Sequence, residues 1–111
     1  MEIAIIDSGD AKVISFIGNL DTNTSPDAET QLTSLINEGV LKIVINLEQL
    51  DYISSAGLRV LLSTTKSIKS KGGGCHMCNL NEMVQEVFDI SGFSMIFSVY
   101  QSSEAAVEGF N

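Results

Sequence analysis

Between Val40 and Leu47 the chain reads Val-Leu-Lys-Ile-Val-Ile-Asn-Leu, apolar everywhere except Lys42 and Asn46. A strand with one wet face alternates apolar and polar residues, whereas an unbroken run of about eight suits a strand covered on both faces. Such strands sit inside parallel sheets, and parallel neighbours must be joined by crossover connections, usually helices. This one segment predicts an α/β domain with the run at the centre of its sheet.

The flanking segments supply the remaining elements. Glu2 to Asp7 and Lys12 to Gly18 are rich in isoleucine, β-branched and aromatic residues, and Ser8-Gly9-Asp10 between them carries turn chemistry, so the two predict a hairpin. Ser25 followed by Pro26, Asp27 and Glu29 reads as the cap and first turn of a helix. Its inward stripe is Ala28, Leu32, Leu35 and Ile36, and Gly39 is its stop. After a loop holding Glu48, Asp51 and Tyr52, Ser54-Ser55-Ala56-Gly57 opens a second helix with the stripe Leu58, Leu61, Leu62, Thr65 and Ile68. Lys66, Lys69 and Lys71 complement the negative end of its dipole before Gly72.

Gly74 to Cys78 reads as the next strand, and Asn79-Leu80-Asn81-Glu82 resembles a capping box opening a helix that ends at Ser91-Gly92. Met95 to Tyr100 follows as a last strand and Ser103 to Glu108 as a short last helix. The order β-β-α-β-α-β-α-β-α, with right-handed crossovers, implies a mixed sheet of four to five strands with about four helices packed mainly on one face. No linker, repeat or low-complexity tract divides it, so residues 1–111 read as a single domain.

Charge narrows the partners. Fourteen acidic side chains against six basic ones give a formal charge of −8, the opposite of the basic footprint that nucleic-acid binding requires. The apolar runs fall far short of the ~18 residues of a membrane helix, and Met1-Glu2 does not open like a basic signal peptide. The expectation is a cytoplasmic protein with no nucleic-acid or membrane partner and with reduced thiols.

Sites in open α/β sheets gather beyond the carboxyl ends of the parallel strands, where helix N-termini point. Ser54 and Ser55 lie there. A serine before a helix ordinarily caps a free amide, worth about 1 kcal/mol. Here two hydroxyls are adjacent, acids and a tyrosine precede them, and Gly57 removes a side chain from the first turn, so that another surface can approach closely. The helix end also favours an anion by about 0.3–1 kcal/mol. A phosphate there, adding roughly −1.5 to −2 charges, would change recognition without unfolding the domain.

Other constellations carry less. Cys75-His76-Met77-Cys78 has C-x-x-C spacing, but on a strand residues three apart point to opposite faces, which keeps the thiols from one metal. Ser55-x-Gly57 is half of a nucleophile elbow, with Ile53 where that motif needs glycine, and the sole histidine, His76, sits on an apolar strand as a structural residue would. Gly72-Gly73-Gly74 follows a helix rather than opening one, so it is a turn and not a phosphate cradle. The reading assigns no catalytic residue, no metal and no cofactor, and describes an interaction module rather than an enzyme.

Ile43-Val44-Ile45-Asn46-Leu47 followed by Leu50-Asp51-Tyr52-Ile53-Ser54-Ser55-Ala56-Gly57-Leu58 resembles the anti-sigma factor antagonists, whose fold is the STAS domain. Gly18-Asn19-Leu20-Asp21-Thr22-Asn23-Thr24 is similar to the family's glycine–acid–apolar–aspartate turn, and Gly72-Gly73 and Ser91-Gly92-Phe93 match later landmarks. The resemblance implies an unphosphorylated antagonist that binds an anti-sigma factor with serine kinase activity, is switched off by phosphorylation, and is restored by a phosphatase. By motif position Ser55 is the acceptor. The family usually has aspartate just before it, where this chain has Ser54, which makes Ser54 the runner-up. The implied partner surface comprises Asp21, Thr22, Thr24, Ser54, Ser55, Gly57 and Arg59. Asp21 reads equally as a turn residue bonding its own backbone, and Arg59 as a solvated helix residue, the commoner role of one exposed cation. The alternative keeps the fold but not the phosphorylation: an accessory STAS subunit of a transporter or signalling assembly.

Overall fold

A computed structural model describing residues 1–111 buries the apolar run on both sides, as its composition requires. Ile43, Val44 and Ile45 are all 0 % exposed. They form β3 (Lys42–Asn46), which lies parallel to β2 (Ala11–Leu20) on one side and β5 (Gly74–Cys78) on the other. The hairpin partner β1 (Glu2–Ser8) pairs antiparallel with β2, and β6 (Ser98–Tyr100) adds in parallel beyond β5. The main sheet therefore runs β1-β2-β3-β5-β6. Lys42 reaches back to the hairpin turn and pairs with Asp10 at 3.0 Å. Its ammonium holds that carboxyl below the usual aspartate range.

Alternation along the strands divides the core in two. Ile14, Phe16, Ile43, Ile45, Cys75 and Met77 face the larger cluster. It is closed by α1 (Ser25–Asn37), α2 (Ser55–Ser70) and α3 (Glu82–Ser91), which bring Leu32, Leu61 and Phe88 inward. Val13, Val44 and Cys78 face the other way and meet Ala106 of α4 (Ser103–Glu108). Three helices on one face and a short one on the other match the expected packing.

On that second face His76 fastens α4. Its Nδ1 lies 2.8 Å from the Ala106 carbonyl oxygen, which can only accept, so Nδ1 carries the proton. The ring stacks on Phe110 with centroids 3.9 Å apart. Cys75 and Cys78 lie in different clusters on opposite faces, so their thiols do not converge. Burial pushes Cys75 up to about 12 and Cys78 to about 11.

Three expectations need correction. The sheet has six strands rather than four to five, because Leu50–Ile53 is a strand, β4, instead of a loop. Its burial pattern is in-out-out-in, which no period of two reveals: Leu50 and Ile53 are buried, Asp51 and Tyr52 exposed. Ser25 does not cap α1; it is the helix's first residue, its hydroxyl is buried without a partner, and Thr24 occupies the cap position. The last strand is only Ser98–Tyr100, since Phe93–Met95 turns as a 3-10 helix to bring Phe93 and Phe97 against Phe88.

Candidate functional site

The site grows from a defect in strand pairing. At Gly18, where φ is +107°, β2 leaves the main register, and its last residues pair instead with β4, as Asn19↔Tyr52 and Leu20↔Ile53. A positive φ of that size is one that glycine adopts without strain. The Ser54 amide then donates to the Leu20 carbonyl at 2.9 Å. The turn after β2 and the start of α2 are thereby held side by side.

That turn is an Asx turn. Asp21 Oδ1 accepts from the amides of Asn23 at 2.9 Å and Thr24 at 3.1 Å. Thr24 Oγ1 donates to the Asn19 carbonyl at 2.8 Å and accepts from the Asp21 amide at 2.9 Å. Both side chains are spent on holding the loop, in line with the turn-residue reading of Asp21. Thr22 and Asn23 remain exposed at its tip.

The two serines separate into distinct roles. Ser54 is the cap of α2, its side chain accepting from the Gly57 amide at 3.3 Å, and it is half-buried. Ser55 is the first residue of the helix and is exposed. The Ser55 hydroxyl stands beside the positive end of the helix dipole, in a first turn that contains no acidic residue. Tyr52, 52 % exposed, and Asp51 are the exposed residues of β4, the strand that leads into α2.

Gly57 corrects one expectation. It faces the interior, and a Cβ built on it would lie 2.7 Å from the Leu20 carbonyl oxygen and 3.0 Å from Ile53 Cγ1. The close approach it permits is that of its own sheet, so Gly57 seats α2 rather than offering a surface to a partner. Arg59, in contrast, is exposed and forms no ion pair; the only two salt bridges are Lys12–Asp7 and Lys42–Asp10. With Thr22, Ser25, Glu29 and Ala56 it lines a groove of about 640 Å³ between α1 and α2.

Of the seven residues named from the sequence, Thr22, Ser55 and Arg59 are exposed, Thr22 and Arg59 on one groove, whereas Ser54, Asp21 and Thr24 are half-buried and spend their side chains on the local hydrogen bonds. Asn81 is a support that sequence reading saw only as part of a capping box. Its Oδ1 caps α3 at Val84, 2.9 Å away, while Nδ2 donates to the carbonyls of Leu50 at 2.7 Å and Glu48 at 3.3 Å. One amide thus fixes where β4 begins. His76 lies across the sheet from α2, so no histidine stands beside either serine.

Comparison with known proteins identifies the family and the fold. The model of the STAS domain matches residues 2–106. A Bordetella bronchiseptica protein, BtrV, named an anti-sigma factor antagonist, is 41 % identical over 93 residues, covering 84 % of this chain and 80 % of that one. The anti-sigma-B factor antagonist of Bacillus subtilis is 30 % identical over 95 residues, 86 % of each chain. Among solved structures, a Thermotoga maritima protein described as an anti-sigma factor antagonist superposes with a TM-score of 0.92 at 23 % identity, covering 97 % of this chain and 93 % of that one. The Bacillus cell fate determinant SpoIIAA in its phosphorylated form superposes with a TM-score of 0.76 at 20 % identity, over 99 % and 100 %. No helix here is long and apolar enough to cross a membrane. With a family match over nearly its whole length and relatives that share one name, the chain belongs to the STAS domain family, among its anti-sigma factor antagonists.

Proposed function

We propose that this chain binds an anti-sigma factor that is also a serine kinase, and that phosphorylation of Ser55 breaks the complex until a phosphatase restores it. The observation that carries this reading is the division of labour between the serines. Ser54 has committed its hydroxyl to the Gly57 amide, whereas Ser55 is exposed at the same helix end. Phosphorylating Ser54 would remove a cap worth about 1 kcal/mol. Phosphorylating Ser55 would cost the fold nothing of that kind and would place a dianion where the helix dipole favours it. That SpoIIAA, a protein of this fold, has a structure in a phosphorylated form supports the reading.

The switch is then electrostatic. A phosphate of charge −2 about 7 Å from one partner carboxylate is repelled by about 1 kcal/mol in water-like dielectric and about 5 kcal/mol at an effective dielectric of ~20. That corresponds to roughly five-fold to several-thousand-fold weaker binding. The test uses the anti-sigma factor of the same cell, with ATP, and mass analysis of the chain before and after. The reading expects modification at Ser55 alone, its loss in Ser55→Ala, and at least five-fold weaker binding of the modified chain. Transfer to another residue, or equal binding by both forms, would overturn it.

A further inference from the structure

We propose that Arg59 is the internal counter-cation of a phosphate on Ser55, a positioning residue that favours the doubly charged form of this phosphate. The inference rests on Ser55 being the acceptor and adds a partner for it within the chain. Ser55 and Arg59 are four apart on α2, and both are exposed. Residues i and i+4 share a helix face with Cβ atoms about 5–6 Å apart, and an anion on the N-terminal side of the cation is the favourable order. Helical side chains also lean toward the N-terminus, which carries the guanidinium toward Ser55.

No carboxylate competes for Arg59 by direct contact, since it forms no ion pair. Lys66, the next cation on α2, is eleven positions beyond Ser55, about 16 Å along the axis. The charged residues on the elements next to this helix end are acidic: Asp21 on the turn after β2, Glu29 across the α1–α2 groove and Asp51 on β4. They resist the second ionisation, so Arg59 and the α2 amides are the groups that favour it. A guanidinium suits the task because it can take two phosphate oxygens at once.

The consequence is measurable. One unit charge at about 6 Å in water-like dielectric lowers the second phosphate pKa by about half a pH unit. The full chain is made with phosphoserine genetically encoded at position 55, so that no kinase is involved, and the phosphate is titrated by ³¹P NMR at low salt. The expectation is a midpoint about half a pH unit higher in Arg59→Gln, little changed in Arg59→Lys, and unchanged in Lys66→Gln. In 1 M salt, which screens exposed charges, the gap between the midpoints of the unsubstituted chain and Arg59→Gln should shrink. Identical midpoints in all four proteins, or a gap to Arg59→Gln that 1 M salt leaves unchanged, would overturn the role of Arg59 while leaving Ser55 as the switch. Failure of the kinase to modify Ser55 would overturn the switch without touching the titration.

Discussion

Gly57→Ala sets two opposing effects against each other. In an exposed helix the substitution stabilises by about 1 kcal/mol, because alanine is the better helix former. Here the added methyl would sit 2.7 Å from the Leu20 carbonyl oxygen, 2.8 Å from Leu20 Cγ and 3.0 Å from Ile53 Cγ1. Favourable contacts between carbon atoms lie at about 3.5–4.0 Å, so α2 must withdraw from β2 and β4 by roughly 0.5–1 Å. Leu20 is 0 % exposed and cannot step aside, and one of its two contacts is main chain. Overpacking costs about 1–3 kcal/mol, and with main chain on one side of the contact this site belongs in the upper half of that range, about 2–3 kcal/mol. The net expectation is destabilisation by about 1–2 kcal/mol, or roughly 4–8 °C in Tm for a domain of this size. Urea unfolding with an unchanged slope is the assay. Leu20→Ala removes the Cγ contact but leaves the carbonyl, so the double variant should show partial relief relative to the sum of the single ones. A Gly57→Ala protein as stable as the parent, or more so, would refute the argument that this glycine seats the helix.

The remaining expectations concern neighbouring residues. Ser54→Ala should lose about 1 kcal/mol of stability in urea, as a lost cap does, whereas Ser55→Ala should stay within about 0.5 kcal/mol of the parent; equal losses would contradict the separation of roles. Asn81→Ala should cost about 2 kcal/mol by the same measurement, since it removes a cap and the bond to the Leu50 carbonyl together, and faster hydrogen exchange at the start of β4 should accompany it. An unfolded thiol ionises near about 8.5, while burial raises Cys75 to about 12 in the folded chain. The folded state therefore keeps a proton that the unfolded state loses. Its contribution is complete below about pH 8.5 and declines as pH rises toward 12, by up to about 1.4 kcal/mol per pH unit. Cys75→Ala should flatten this alkaline decline in a pH series of urea midpoints.

The hairpin, the central strand and the helix stripes were legible because their periodicities reflect burial within one element. Val40 to Leu47 announced a strand covered twice, and β3 is at the sheet centre. Leu50–Ile53 was not legible as a strand, since its hydrogen bonds go to the far half of β2 and depend on the bulge at Gly18. The cap of α1 was misplaced because Pro26 and the first-turn acid say where a helix begins only to within a residue.

At the site, the sequence alone determined that two hydroxyls stand at a helix start, two residues before a glycine, in a chain of formal charge −8. Which hydroxyl is free, and which way the glycine faces, were decided only by tertiary structure. The direction of a helix start is set by the strand it leaves, here β4 held between the Leu20 carbonyl and the Asn81 amide. That orientation turns Gly57 inward, spends the Ser54 oxygen on an amide and leaves Ser55 facing water. Composition and spacing carry no information about such long-range contacts, because the residues that make them are about thirty positions apart along the chain.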